Sequence, residues 1–125
     1  MPGEITQIPQ EQWPTQTNSH ILTDEVAGFC LLPQEISARS GIIFTHDLDD
    51  SDGLGKYCAA VVLCDHHLYA LISYMHSTVK GTALVMESGL FDPRKGLSQL
   101  RGILNALQIP PEEIVYLKEK DDLFT

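Results

Sequence analysis

The chain has 125 residues, 43% of them hydrophobic and 20% charged, a length and mix that suit one domain with one core and exclude a chain disordered along its length. Seventeen acidic side chains against eight basic ones leave a net charge of −9, a field that repels phosphate backbones and anionic lipid heads, so nucleic acid and membrane surfaces are excluded as expected partners. Basic proteins are attracted by the same field, although solubility alone is the plainer reason for it.

Cys30, Cys58 and Cys64 are an odd number of thiols, and the chain begins MPGEITQ without a basic start or an apolar run. Together these point to a reducing cytoplasm. The longest apolar region, Tyr57 to Met75, is broken by Asp65, His66 and His67, so no uncharged stretch of about 18 residues is present to cross a bilayer.

Residues 1–20 hold three prolines among many Gln and Thr, with apolar residues too sparse for a period of 2 or 3.6. They read as a flexible arm, ahead of a single domain over 21–125. Trp13, the only tryptophan, either folds back on the domain or anchors a partner, and folding back spares a large ring from water. In "AGFCLLPQEI" an apolar run stops at Pro33, which suggests a strand ended by the missing N–H. "GIIFTHD", positions 41–47, is β-branched and aromatic and runs as a strand into an acidic loop.

"KYCAAVVLC" and "LYALISYMH" are apolar at odd and even positions alike. Such strands need cover on both faces and should be central; the short link makes them antiparallel neighbours. "TALVME", positions 82–87, reads as the next strand of the meander. Asp92 is placed as N-cap and Pro93 at the first turn of an amphipathic helix through Leu97, Leu100, Ile103, Leu104 and Leu107, stopped by Pro110 and Pro111. Gly96 and Gly102 weaken it by about 1 kcal/mol each, so it must be held by docking its leucines. "EEIVYLK", positions 112–118, is read as a last strand. The fold expected is α+β: a single antiparallel meander of about four to five strands with one amphipathic helix on a face.

Three clusters are candidates for function. "HDLDDSDGLGK", positions 46–56, holds Asp47, Asp49, Asp50 and Asp52 with Gly53 and Gly55. An EF-hand loop fails in both registers: Leu48 and Ala59 fill ligand places in one, and Asp52 and Cys58 fill the glycine and bidentate places in the other. A looser cation site, a solvated hairpin loop and an acidic surface for a basic partner remain, and the loop is the plainest of the three.

The second cluster is "CDHH", where Cys64, His66 and His67, with Asp65 and either His46 or His76 from neighbouring strands, would supply zinc ligands, but no paired C-x-x-C or H-x-x-x-H spacing supports them. Cys58 would lie about 20 Å from Cys64 along a strand, too far to share one ion. A Cys64–His66 catalytic pair on one strand has Cα atoms about 6.5 Å apart and parallel side chains, against the roughly 3 Å contact a nucleophile and base require. The third is the helix face of Arg94, Lys95, Ser98, Arg101, Asn105 and Gln108, which could hold an anion but more simply meets water.

The reading preferred is a non-enzymatic, acidic protein-binding module that docks through Asp47, Asp49, Asp50 and Asp52 on a basic partner and inhibits or chaperones it, as an immunity-type inhibitor does, without a cofactor. Two rivals are a small metal protein or hydrolase centred on Cys64 to His67, and a homodimer or larger homo-oligomer that pairs through a sheet edge or helix face and binds a ligand or serves a structural role.

Overall fold

Apolar residues in both phases of one strand demand cover on both of its faces; the two helices supply it on one face of a sheet that is wider than its sequence suggests. The computed structural model describes residues 5–9, 11, 22–50, 55–64, 66–74, 81–87, 90–92 and 94–117, apart from the side chains of Leu22, Thr23, Asp47, Asp49 and Asp50. Seven strands, β1 (Ile5–Ile8), β2 (Leu22–Phe29), β3 (Thr45–Asp50), β4 (Gly55–Cys64), β5 (His67–Tyr74), β6 (Thr82–Glu87) and β7 (Ile114–Leu117), join two helices, α1 (Pro33–Ser40) and α2 (Leu97–Leu107). The sheet order is β1-β4-β5-β6-β2-β7, and β3 also pairs with β4.

The expectation of four to five strands and one helix is therefore corrected, among the described residues, to seven strands and two α-helices, with a short 3-10 turn at Pro111–Glu113. β1 lies within the segment read as an arm; of the rest of that segment only Pro9 and Glu11 are described, and Trp13 is outside the described residues. β1 pairs with the Val61–Cys64 half of β4 and β3 with the Gly55–Ala59 half, so the two share one edge. Both are short and polar, and a strand with one partner need show little apolar alternation.

All pairings are antiparallel, so β1, β2, β3 and β5 run one way and β4, β6 and β7 the other. The β4–β5 hairpin holds register from Tyr57↔Tyr74 to Cys64↔His67, and His66, just before β5, takes φ 70°.

Pro33 does not end a strand; it opens α1, where its missing N–H falls among groups that have no intrahelical partner in any helix. β2 stops earlier, at Phe29. Glu35 completes the start by accepting the Leu32 N–H at 2.8 Å through Oε1. α2 begins at Leu97, not beside Pro93. Asp92 instead caps the turn before it: its Oδ1 accepts the Arg94 N–H at 3.0 Å, and its carbonyl accepts from Lys95 and Gly96. Gly96, at φ 53° and ψ −130°, redirects the chain into the helix. At the far end Gln108 is left-handed (φ 59°); its N–H donates to the Asn105 carbonyl and that of Ile109 to the Leu104 carbonyl, the paired bonds of a Schellman ending.

Both helices pack on one face. Ile36 of α1 and Leu100, Ile103, Leu104 and Leu107 of α2 join Cys58, Ala60, Val62 and Cys64 of β4 with Leu71, Leu84 and Met86 in a continuous core. The opposite face carries a second, smaller apolar cluster of Val61, Ala70 and Val85, bordered by Ile8, Leu68 and Ile72. Among the described residues no helix is long and apolar enough to cross a membrane.

Candidate functional site

Where it is described, the acidic stretch is strand rather than the loop its composition suggests. Asp47, Asp49 and Asp50 belong to β3, with Asp49 opposite Lys56 and Asp50 opposite Gly55; Asp52 is outside the described residues. Strand pairing with β4 overrides the poor strand propensity of aspartate, which is a weak preference at an edge. The "GIIFTHD" strand is accordingly displaced: positions 41–44 precede β3, and the extended pairing starts at Thr45.

Register then decides what the acidic strand sits beside, because residues directly opposite across a ladder share a face. Leu48 is opposite Tyr57, and Tyr57 is opposite Tyr74, so the three form one row across β3, β4 and β5. The two tyrosine rings lie with centroids 5.5 Å apart at 44°. A second row runs Thr45, Ala59, Ile72, Ala83, Gly28, Tyr116, and a third Ile8, Val61, Ala70, Val85, Glu25. All three lie on the face away from the helices.

Small residues in the second row leave a depression where larger ones stand around it. A groove of about 230 Å³ is lined by Glu25, Gly28, Ile72, Tyr74, Ala83 and Tyr116, with Val115 as a further wall. Gly28 sets its depth, since a β-carbon there would stand 3.5 Å from the Tyr116 Cβ. At the groove's upper end Gly81 takes φ 142°, and a β-carbon on it would fall 2.2 Å from the Phe29 carbonyl oxygen. Next to it Thr82, which is buried, donates its hydroxyl to the Leu31 carbonyl at 2.9 Å. Val115 and Tyr116 on the β7 edge are 63% and 41% exposed, large apolar surface of the kind that marks a contact site when it borders a groove.

The Cys–His cluster disperses. Cys64 is buried in the helix-side core, His66 is exposed at the hairpin turn, and His67 stands opposite Cys64 on β5; Asp65 and His76 are outside the described residues. Among the described residues no three His, Cys, Asp or Glu side chains gather as metal ligands. Cys58 is also buried, and burial pushes its thiol above the ordinary value despite a backbone hydrogen bond that lowers it, which is opposite to the depressed pKa of a nucleophilic cysteine. The polar face of α2 is solvated: Arg94, Lys95, Ser98, Arg101, Asn105 and Gln108 are exposed. Arg94 Nε lies 3.3 Å from Asp92 Oδ1, and the backbone and side-chain bonds from Arg94 hold that carboxyl below its ordinary range.

Sequence reasoning did not reach the groove or the tyrosine row, because Tyr57, Tyr74 and Tyr116 come together only through strand register. The one cue was the double-phase apolar pattern of β4 and β5, which announces a second face to be covered. No protein-family model, curated protein or solved structure matches the chain.

Proposed function

We propose that the domain is a non-enzymatic protein-binding module that receives a basic protein segment across the face away from α1 and α2, with an apolar anchor of that segment in the groove and its cationic side chains at the β3 edge, where Asp50 falls in the phase of Gly55 and Asp49, opposite Lys56, in the other. The observation that carries this reading is the Leu48–Tyr57–Tyr74 row, which links the acidic strand to the groove across two strand spacings, about 10 Å. Tyrosine supplies large contact area at low conformational cost and accepts cations on its ring face. The net charge of −9 speeds encounter with a basic partner and selects against acidic ones. Binding of this kind inhibits or chaperones the partner by covering its basic surface, and cytoplasmic residence is part of the same proposal.

The experiment is affinity capture from the native cell on immobilised protein at low and high salt. A basic protein retained at low salt, released at high salt, and lost both with Asp47, Asp49, Asp50 and Asp52 all changed to Asn and with Tyr116→Ala, supports the reading. Retention indifferent to salt and to these changes overturns it. A dimer seen by light scattering whose formation is abolished by Tyr116→Ala replaces it with self-association.

A further inference from the structure

We propose that Glu25 makes the groove selective: the apolar anchor received there is flanked, within two residues, by a lysine or arginine held against the Glu25 carboxylate. This rests on the reading of the groove as the site for a basic segment, and it names what that segment must contain. Size is the first observation. At about 230 Å³ the groove is smaller than the roughly 300–1,000 Å³ sites that enclose small molecules, so one side chain of a longer chain suits it better than a free metabolite.

Charge is the second. Gly28, Ile72, Ala83 and Val115 give the groove an apolar floor and walls, and Tyr74 and Tyr116 add rings. Among the described residues that line it Glu25 alone is charged, and it is exposed. A carboxylate at the rim of an apolar groove leaves the anchor to be chosen by size and its neighbour by sign.

The third is how Glu25 comes to be there. Glu25 and Gly28 are three residues apart, an odd separation that in a regular strand puts side chains on opposite faces. β2 carries an extra residue between them: Glu25 stands opposite Val85 and Ala27 opposite Leu84, two steps against one. Val26 and Ala27 both enter the helix-side core as a result, and Glu25 shares the groove's face with Gly28. β7 does the same for Tyr116. Ile114 is opposite Phe29 and Tyr116 opposite Gly28, again two steps against one, so Ile114 packs on the core while Tyr116, which a regular strand would hold on the same side, lines the groove. A bulge re-aims side chains and disrupts the ladder locally. Two bulges converge on one groove and supply its carboxylate and one of its rings.

Position sets the spacing. Glu25 lies in the row of Val61, Ala70 and Val85, next to the row of Ala59, Ile72, Ala83 and Gly28 that floors the groove, and neighbouring rows on one face are about 7 Å apart. A long basic side chain one or two residues from the anchor covers that distance. β4, β5 and β6 stand between β2 and β3, so this cation is distinct from those at the β3 edge.

The test uses peptides as the probe. A random-peptide display library is selected on the immobilised full chain at low salt, and the tightest binder, with each of its basic residues changed to Gln in turn, is titrated against the parent protein, Glu25→Gln and Glu25→Lys. Glu25 is exposed, so both variants should keep the parent's circular dichroism. One basic residue beside the apolar anchor is expected to stand out: its loss weakens binding to the parent by up to about fivefold, the range of an exposed ion pair, has no effect with Glu25→Gln, and strengthens binding to Glu25→Lys. Equal binding to all three proteins, or an equal loss at every basic position, overturns the inference while the basic-segment reading stands. Selection of peptides without basic residues, or of none, overturns both.

Discussion

Arg39 at the end of α1 faces Glu113 beyond the end of α2, and the two meet through both arms of the guanidinium: NH1 contacts Oε1, and NH2 donates to Oε2 at 3.0 Å. The same arginine donates to the Gln108 carbonyl at 3.1 Å, while the Gln108 side-chain amide donates back to the Arg39 carbonyl at 2.6 Å. A paired fork of this kind is directional as well as charged, and it ties together three pieces of chain that sequence alone leaves unconnected: the end of α1, the left-handed Gln108 and the turn into β7.

The contact has a pH signature. Hydrogen bonding from Arg39, partly opposed by burial, holds the Glu113 carboxyl below its ordinary value of 4.5, and Arg39 stays charged throughout. A carboxyl with a depressed folded pKa contributes stability that is fully present above its unfolded pKa and is lost as pH falls through the lower folded value. Glu113→Gln should lower the urea midpoint at pH 7, and the gap from the parent protein should close progressively below about pH 4.5. A gap constant down to pH 3 would show that the pair contributes nothing through charge. Arg39→Lys should fall between the two proteins at pH 7, because an ammonium cannot reproduce the two-pronged contact.

The three thiols differ in access. Cys30 is exposed, whereas Cys58 and Cys64 are buried in the core. Titration with a thiol reagent at pH 8 should modify one cysteine quickly and the other two only in denaturant, and Cys30→Ser should remove the fast phase. A second fast thiol would contradict the placement of β4, whose even-numbered residues face the helices.

Core and face should separate under mutation. Leu100 is fully buried beneath α2, and Leu100→Ala is expected to cost about 2–5 kcal/mol in chemical unfolding, the lost transfer energy plus the cavity left behind. Tyr116→Ala, at a side chain 41% exposed on the edge strand, should cost less than about 1 kcal/mol and yet abolish capture of the basic partner.

Gly81 is required where it stands. Its φ of 142° and the 2.2 Å approach of the Phe29 carbonyl to any β-carbon leave no room for alanine. Gly81→Ala should destabilise by more than about 1 kcal/mol, and, because Thr82 and Phe29 line the same groove, it should disturb the amide signals of β2 and β6 more than those of β1 and β3.

How far the fold could be read from residues follows from what each strand must satisfy. β4, β5 and β6 are buried on both faces, and that leaves apolar residues in both phases, which is visible in a single sequence. β1 and β3 are held by backbone pairing on one side, so "ITQI" and "THDLDD" show no pattern that separates them from loop. α1 was hidden by Pro33, since the ring that forbids a central strand also suits the first turn of a helix. The start of α2 was misplaced for a similar reason: Asp92 and Pro93 have the chemistry of a helix start, but Gly96 turns the chain again before Leu97. The candidate surface was legible only as charge. Its aspartates stood out by number, whereas the tyrosines beside them are dispersed in sequence and meet through a register that no local pattern encodes.

If a basic partner docks on the face away from α1 and α2, amide hydrogen exchange with and without the captured protein will show it there. Protection is predicted along Leu48, Tyr57, Tyr74 and the β7 edge at Val115 and Tyr116, diminishing as salt is raised. Protection confined to α1 and α2, with the tyrosine row exchanging as in the free protein, would contradict it.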